Sequence, residues 1–222
     1  MDTVWYKRAL QTNVLDVRGQ RLTSLPPLPQ NITEIICSGN QLRCLPVLPP
    51  HLLRLVCSNN LLRELPEMPT SLQVLDCSKN FIECLPDLEN TSLETLVCSE
   101  NLLKDIPILP KTLRRLSCHT NRLAYLRPMP ASLILLWAQF NPEMNSILQS
   151  VVQDPDPVGA LKEYFSEKRA RQKIIRDVLC LKEALKKSDL SGDVLDRIAH
   201  QLSAIRAPME SQIECLKLTS LL

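Results

Sequence analysis

The chain has 222 residues, enough for one large or two small domains around a sizeable buried core. Its formal net charge of +2 singles out no polyanionic partner, so nucleic acid is not expected as a ligand. Proline is abundant at 17 residues and aromatics are scarce at 4%, which points to a repeated core of uniform aliphatic side chains.

The first residues, Met1-Asp2-Thr3-Val4-Trp5-Tyr6-Lys7-Arg8, contain no long apolar region of the kind a secretory signal peptide needs. No apolar run anywhere is long enough to span a bilayer. The nine cysteines are therefore expected to be reduced thiols in a cytoplasmic setting. Residues 1–12 are read as an N-terminal cap.

From residue 13 to residue 142 the chain repeats. One unit is Ile32, Ile35, Cys37, Asn40, Leu42, Leu45, Pro46, Leu48 and Pro49, and the next is Leu52, Leu55, Cys57, Asn60, Leu62, Leu65, Pro66, Met68 and Pro69. Three more follow the same template, L-x-x-L-x-C-x-x-N-x-L-x-x-L-P-x-L-P, with degenerate units on either side. The asparagines fall at 40, 60, 80, 101, 121 and 141, a period of 20 with one extra residue near Asn90. The alternating segment L-x-x-L-x-C suits a short strand with one buried face. A lone strand of that length cannot bury its face, but stacked copies form a parallel sheet. The asparagine amide can both donate and accept, so stacked copies would form a ladder satisfying backbone groups where the chain leaves the strand. The L-P-x-L-P half lacks amide donors at its prolines and cannot be a helix interior or a central strand, which leaves an extended, polyproline-like convex side. A 20-residue unit has no room for a convex helix. The expected fold class is an α/β-type repeat: a thin, curved solenoid of parallel strands.

These residues resemble the short leucine-rich repeats of type-III-secreted bacterial effectors, the YopM and IpaH-like proteins. Cys57-Ser58-Asn59-Asn60-Leu61-Leu62-Arg63-Glu64-Leu65-Pro66 follows that motif closely, and Asn141-Pro142 resembles the exit from such arrays. The resemblance implies a binding solenoid acting on a host protein, with host cytoplasm as the site of action after secretion. Two departures limit it. Family members usually carry a helical hairpin before the repeats, where about a dozen residues stand here. The ligase members also carry a large domain with a catalytic cysteine, and the 80 residues after Pro142 are too few for it, so ligase activity is not implied.

Cys37, Cys57, Cys77, Cys98 and Cys118 share one repeat position. Metal clusters need converging ligands, and cysteines spaced by a whole repeat form a line, so no metal or cofactor site is expected. They read as small buried apolar residues on the inner face of the strands. Cys44 and Cys84 share another position, just before L-P, and read as partly buried spacers. Cys118-His119 is the one pair suggestive of a nucleophile, but neighbours on a strand point to opposite faces. His51 and His200 read as surface residues. Four glycines, at 19, 39, 159 and 192, form no phosphate-binding loop. No enzyme activity is expected.

The residues between the buried ones define the outer face of the sheet. One column is Val14, Glu34, Arg54, Val74, Thr95, Arg115 and Leu135, and the next is Asp16, Ile36, Val56, Asp76, Val97, Ser117 and Trp137. Aromatic and arginine side chains are frequent anchors at protein interfaces. Ile36, Arg54, Val56, Asp76, Val97, Arg115 and Trp137 are therefore read as a partner-binding stripe. The competing reading is a face built of β-favourable residues without a ligand, with Trp137 packed under the C-terminal helices.

Residues 143–157 are read as a linker and residues 158–222 as a helical C-terminal cap. From Val158 to about Lys187 apolar residues recur at helical spacing, with Ile174, Val178, Leu181 and Leu185 opposite many charges. Lys168, Arg169, Arg171, Lys173 and Arg176 stand in this segment, but interleaved acids and few aromatics favour a solvated face over a phosphate or lipid site. Val194, Leu195, Ile198, Leu202 and Ile205 suggest a second helix ended by Pro208, and Ile213, Leu216 and Leu221 a third. The stretch Leu190–Ser203 resembles the first helix of an F-box, with Ser191 where that box has proline. This implies an alternative function, a substrate adaptor whose tail recruits ubiquitin-ligase components. The primary expectation is a non-enzymatic module that binds a partner protein through the concave face of its repeats.

Overall fold

Each repeat can bury its leucines only against its neighbours, and the computed structural model shows them doing so; it describes residues 4–144 and 146–186. The chain divides into two compact units, Met1–Phe165 and Ser166–Leu222. In the first, helix α1 (Val4–Thr12) precedes seven three-residue strands: β1 (Val14–Asp16), β2 (Glu34–Ile36), β3 (Arg54–Val56), β4 (Val74–Asp76), β5 (Thr95–Val97), β6 (Arg115–Ser117) and β7 (Leu135–Trp137). They form one parallel sheet in chain order. Helices α2 (Ser146–Val152) and α3 (Pro157–Lys186) follow. The chain is thus a leucine-rich-repeat solenoid with parallel strands and helices in its C-terminal region.

Register is fixed by the repeat itself. The central strand residues Leu15, Ile35, Leu55, Leu75, Leu96, Leu116 and Leu136 pair in a row and are all buried. A slip of one residue would turn this row out to water, so the pattern enforces the pairing. The ladder runs one residue further at each cysteine, where Cys57 N–H donates to Asp76 O at 2.8 Å and Cys77 N–H to Val97 O at 2.9 Å. A second apolar row, Ile32, Leu52, Leu72, Leu93, Leu113 and Leu133, and a third, Leu42, Leu62, Ile82, Leu103 and Leu123, close the core from the other sides. The extra residue near Asn90 leaves this register intact. Thr91 is buried, and both its amide (3.1 Å) and its hydroxyl (2.7 Å) bond Leu88 O, so the insertion is absorbed in the connecting turn.

The turn after each strand places the residue before the asparagine in the left-handed region: Gly39 at φ 68°, Asn59, Lys79 and Thr120 at 55°, Glu100 at 56° and Phe140 at 58°. Only glycine adopts this conformation without steric cost. The turn is imposed on the other residues by the stacking on either side.

Both ends of the sheet are attended by helix. Asn13, at φ 58°, ends α1: its N–H donates to Ala9 O at 3.0 Å, and its own carbonyl accepts the Thr33 amide at 2.9 Å. Residues 143–157, read from sequence as a linker, include α2, whose Leu148 and Val152 are buried. Gln139 on the last coil donates Nε2 to Val152 O at 3.1 Å. Helix α3 begins with Pro157 behind Asp156, whose Oδ1 accepts the Gly159 amide at 3.0 Å as an N-cap. Val158, Leu161 and Phe165 join the same core as Leu136 and Ala138. The helical period from Val158 to Lys187 corresponds to α3. The stretch Leu190–Ser203, the helices expected around 194–205 and after Pro208, and His200 all lie outside the described residues.

Candidate functional site: the outer face of the sheet

Alternation about the buried row turns two rows of side chains outward. Register aligns Ile36, Val56, Asp76, Val97, Ser117 and Trp137 in one and Glu34, Arg54, Val74, Thr95, Arg115 and Leu135 in the other. All seven residues singled out from sequence stand in these two rows. Ile36, Val56, Asp76 and Val97 are half-buried, whereas Arg54, Arg115 and Trp137 are exposed. Trp137 keeps 45% of its surface. The expectation that C-terminal helices would cover it is therefore corrected among the described residues: α2 and the start of α3 pack against the core side of the last coil through Leu148, Val152 and Leu161.

The polar members of the face fall into two groups. From β1 to β4 each has a partner on the chain itself. Arg18 pairs with Asp16 at 2.7 Å, and Arg54 Nε lies 3.3 Å from Glu34 Oε1. Asp76 accepts both the amide (3.0 Å) and the hydroxyl (2.6 Å) of Ser78. The Arg18 guanidinium beside Asp16 holds that carboxyl below the usual carboxylate range. Towards the C-terminal end, Ser99 and Ser117 share a hydroxyl hydrogen bond of 3.0 Å and are buried. Arg114 and Arg115 are exposed and form no ion pair among the described residues. Sequence reasoning named Arg115 but passed over Arg114, which stands immediately before β6. The signal available was the column preceding each strand, Thr33, Leu53, Gln73, Glu94, Arg114 and Ile134, whose last member is also strongly exposed.

Beneath the face, the cysteine row behaves as packing. Cys37, Cys57, Cys77, Cys98 and Cys118 are fully buried and free. Burial pushes the Cys37 and Cys118 thiols up to about 12, and those of Cys57, Cys77 and Cys98 are raised as well. A thiol so disfavoured as thiolate is a poor nucleophile and a poor metal ligand. No group of three or more metal-ligating side chains converges among the described residues. His119 is half-buried and its Nδ1 meets Thr120 Oγ1 at 3.0 Å, while Cys118 faces the core. Cys44 and Cys84, expected to be partly buried, are exposed. They sit on the solvent side of the turn before L-P, where the proline-rich segment provides no second layer to cover them. No described helix is long and apolar enough to cross a membrane.

Behind the face, the buried asparagines hold the turns that follow the strands. Each donates Nδ2 to two cysteine-position carbonyls in successive coils and accepts an amide from the coil before. For Asn80 these are Cys57 O at 3.1 Å, Cys77 O at 3.0 Å and Leu62 N at 3.0 Å. The first coil carries Gln20 instead, which is exposed and reaches only Arg18 O at 3.3 Å. The ladder therefore starts at Asn40 and runs to Asn141.

Residues 70–111 match the family described as leucine-rich repeats (2 copies). No curated protein sequence matches the chain. Among solved structures, it is similar to YopM from Yersinia enterocolitica WA-314, at 34% identity and a TM-score of 0.59, over 61% of this chain and 31% of that one. The chain thus spans about a third of the length of that relative. It is also similar to the leucine-rich-repeat domain of a Shigella effector, at 30% identity and a TM-score of 0.57, over 68% of this chain and 82% of that domain. With 30% identity over most of that domain, the chain belongs to the leucine-rich-repeat family of bacterial effectors.

Proposed function

We propose that this protein is a non-enzymatic interaction module that binds a partner protein through the outer, concave face of its sheet, and that it acts in the cytoplasm of a host cell. One observation carries the reading. Seven strands hold two continuous rows of side chains in fixed register, and these rows mix half-buried aliphatic residues with exposed arginine and tryptophan. A rigid, preformed surface loses little conformational freedom on binding, and a mixed apolar and arginine composition is that of protein interfaces. The five ladder cysteines are buried and their thiols raised, which disfavours them as nucleophiles. The likeness to effector repeats supports action on a host protein.

The test is capture of partners from eukaryotic cytosol by the full chain and by an Ile36→Asp/Val56→Asp/Val97→Asp variant, with circular dichroism showing that both are folded. Loss of the captured proteins from the variant supports the reading. Equal capture by both would sink it.

A further inference from the structure

The two ends of the sheet face differ in charge satisfaction, and the difference points to a ligand. Near the N-terminal end each charged side chain named above has a partner: Arg18 with Asp16, Arg54 with Glu34, and Asp76 with Ser78. At β6 and β7 the arrangement is reversed. Arg114 and Arg115 are exposed and unpaired among the described residues, and Glu94, one repeat earlier in the column of Arg114, makes no ion pair with it. Arg115 is the register partner of Leu135, and Ser117 that of Trp137. Ile134 donates its amide to Arg114 O at 2.8 Å, so it lies directly beside that arginine on the next coil. Ile134, Leu135 and Trp137 are 62%, 43% and 45% exposed. Two exposed guanidinium groups without an acidic partner among the described residues thus border an exposed apolar patch on the sheet.

Building on the sheet-face reading above, we infer that the β6–β7 end of the face is the principal contact and that it takes an acidic segment of a partner protein carrying a large apolar side chain. The apolar side chain covers Trp137, Leu135 and Ile134, and carboxylates of the same segment pair with Arg114 and Arg115. Burial of the apolar group lowers the local dielectric, which strengthens ion pairs made at its border. The planar guanidinium suits a carboxylate in two-point contact. An anionic membrane is the less favoured ligand, because lipid-surface recognition uses clusters of about four to eight basic residues. Here there are two, with Glu94 next to them.

The experiment is selection of a displayed random dodecapeptide library on the full chain. Selected peptides are then measured by fluorescence anisotropy against wild type, Arg114→Glu/Arg115→Glu, Trp137→Ala, and Lys104→Glu/Lys111→Glu, which makes the same charge change off the sheet face. The expected result is enrichment of peptides with two or more acidic residues beside a large apolar one. Their affinity should fall at least tenfold in each β6–β7 variant, stay unchanged in the lysine variant, and weaken with added salt. Several results would overturn the inference. One is enrichment of peptides without acids, and another is indifference to the arginine reversal. The third is no enrichment at all, and the fourth is binding of the chain to phosphatidylserine vesicles, but to no peptide, through these same arginines. Peptides displaced by Ile36→Asp/Val56→Asp but not by the β6–β7 variants would overturn this inference while leaving the sheet-face reading standing. Peptides insensitive to both sets, together with equal capture from cytosol, would remove both.

Discussion

Asn60 reaches back a full coil to Leu42: its Oδ1 accepts the Leu42 amide at 3.0 Å while its Nδ2 donates to Cys37 O and Cys57 O, both at 3.0 Å. One side chain thus satisfies buried backbone groups of two successive repeats. Replacing it with alanine strands one amide and weakens two carbonyl positions in a dry interior. A buried polar group left without a partner costs about 1–3 kcal/mol. Asn60→Ala and Asn80→Ala are each expected to lose about 3 kcal/mol, read from urea denaturation. A loss below about 1 kcal/mol would show that the ladder is ornamental.

This ladder, the register and the buried cysteine row were legible in the sequence because a repeat multiplies each weak signal. One asparagine means little, but six at constant spacing state a geometry. What a repeat cannot reveal is how its variable positions meet each other. Arg54 and Arg115 occupy equivalent places, yet only Arg54 has an acid, Glu34, at the matching place one coil away. The exposure of Trp137 depended on where the following helix lies, and α2 was too short to announce itself by periodicity. Cys44 and Cys84 looked partly buried because L-P follows them, but the extended segment there is one layer thick.

The left-handed turn positions give a second prediction. Thr120 is β-branched and sits at φ 55°, which costs about 1–2 kcal/mol for a residue with a Cβ. Its amide bond to Gln139 O would survive in glycine, and the bond lost is the exposed one from His119 to its hydroxyl. Thr120→Gly is therefore expected to stabilise by about 0.5–1 kcal/mol, the relief of strain being partly offset by the added freedom of the unfolded chain. The reciprocal change is Gly39→Ala. An added Cβ there would meet nothing nearer than 3.8 Å, so crowding is not the issue, and conformation alone should cost about 1 kcal/mol. Thermal melts of the two variants should move in opposite directions.

The Asp16–Arg18 pair sets a small pH dependence. The Asp16 carboxyl is held below its unfolded value, so its contribution is present above that value and is lost as pH falls through the folded one. Both side chains are solvent-exposed, so the effect is well screened. Asp16→Asn should lower the melting temperature slightly at pH 7 and by less in acid below the ordinary carboxylate range. An equal shift at both pH values would assign the effect to packing.

Thiol chemistry separates the cysteines. The five ladder thiols are buried and their pKa values raised, whereas Cys44 and Cys84 are exposed. A brief iodoacetamide pulse at pH 8, mapped by peptide mass, should modify Cys44 and Cys84 at least a hundredfold faster than Cys57, Cys77 or Cys98. Reaction of the latter three requires opening of the coil, so their rates should report local stability. Comparable rates at all seven would mean that the coils open freely.

The C-terminal end of the solenoid should be the least forgiving place to remove a side chain. An open strand edge exposes unpaired backbone groups and the last layer of leucines. Here Leu148, Val152 and Leu161 are buried in the same core as Leu136 and Ala138, and the Gln139 amide bonds Val152 O. Leu161→Ala leaves a cavity at that junction, and such a truncation costs about 2–5 kcal/mol. Loss of the cap should uncover the last coil before the central ones, so hydrogen exchange in Leu161→Ala should rise first at β7 and α2 and leave β3 and β4 protected. A uniform rise across all seven strands would instead mean that the solenoid unfolds as a single unit and that the helices stabilise every coil alike.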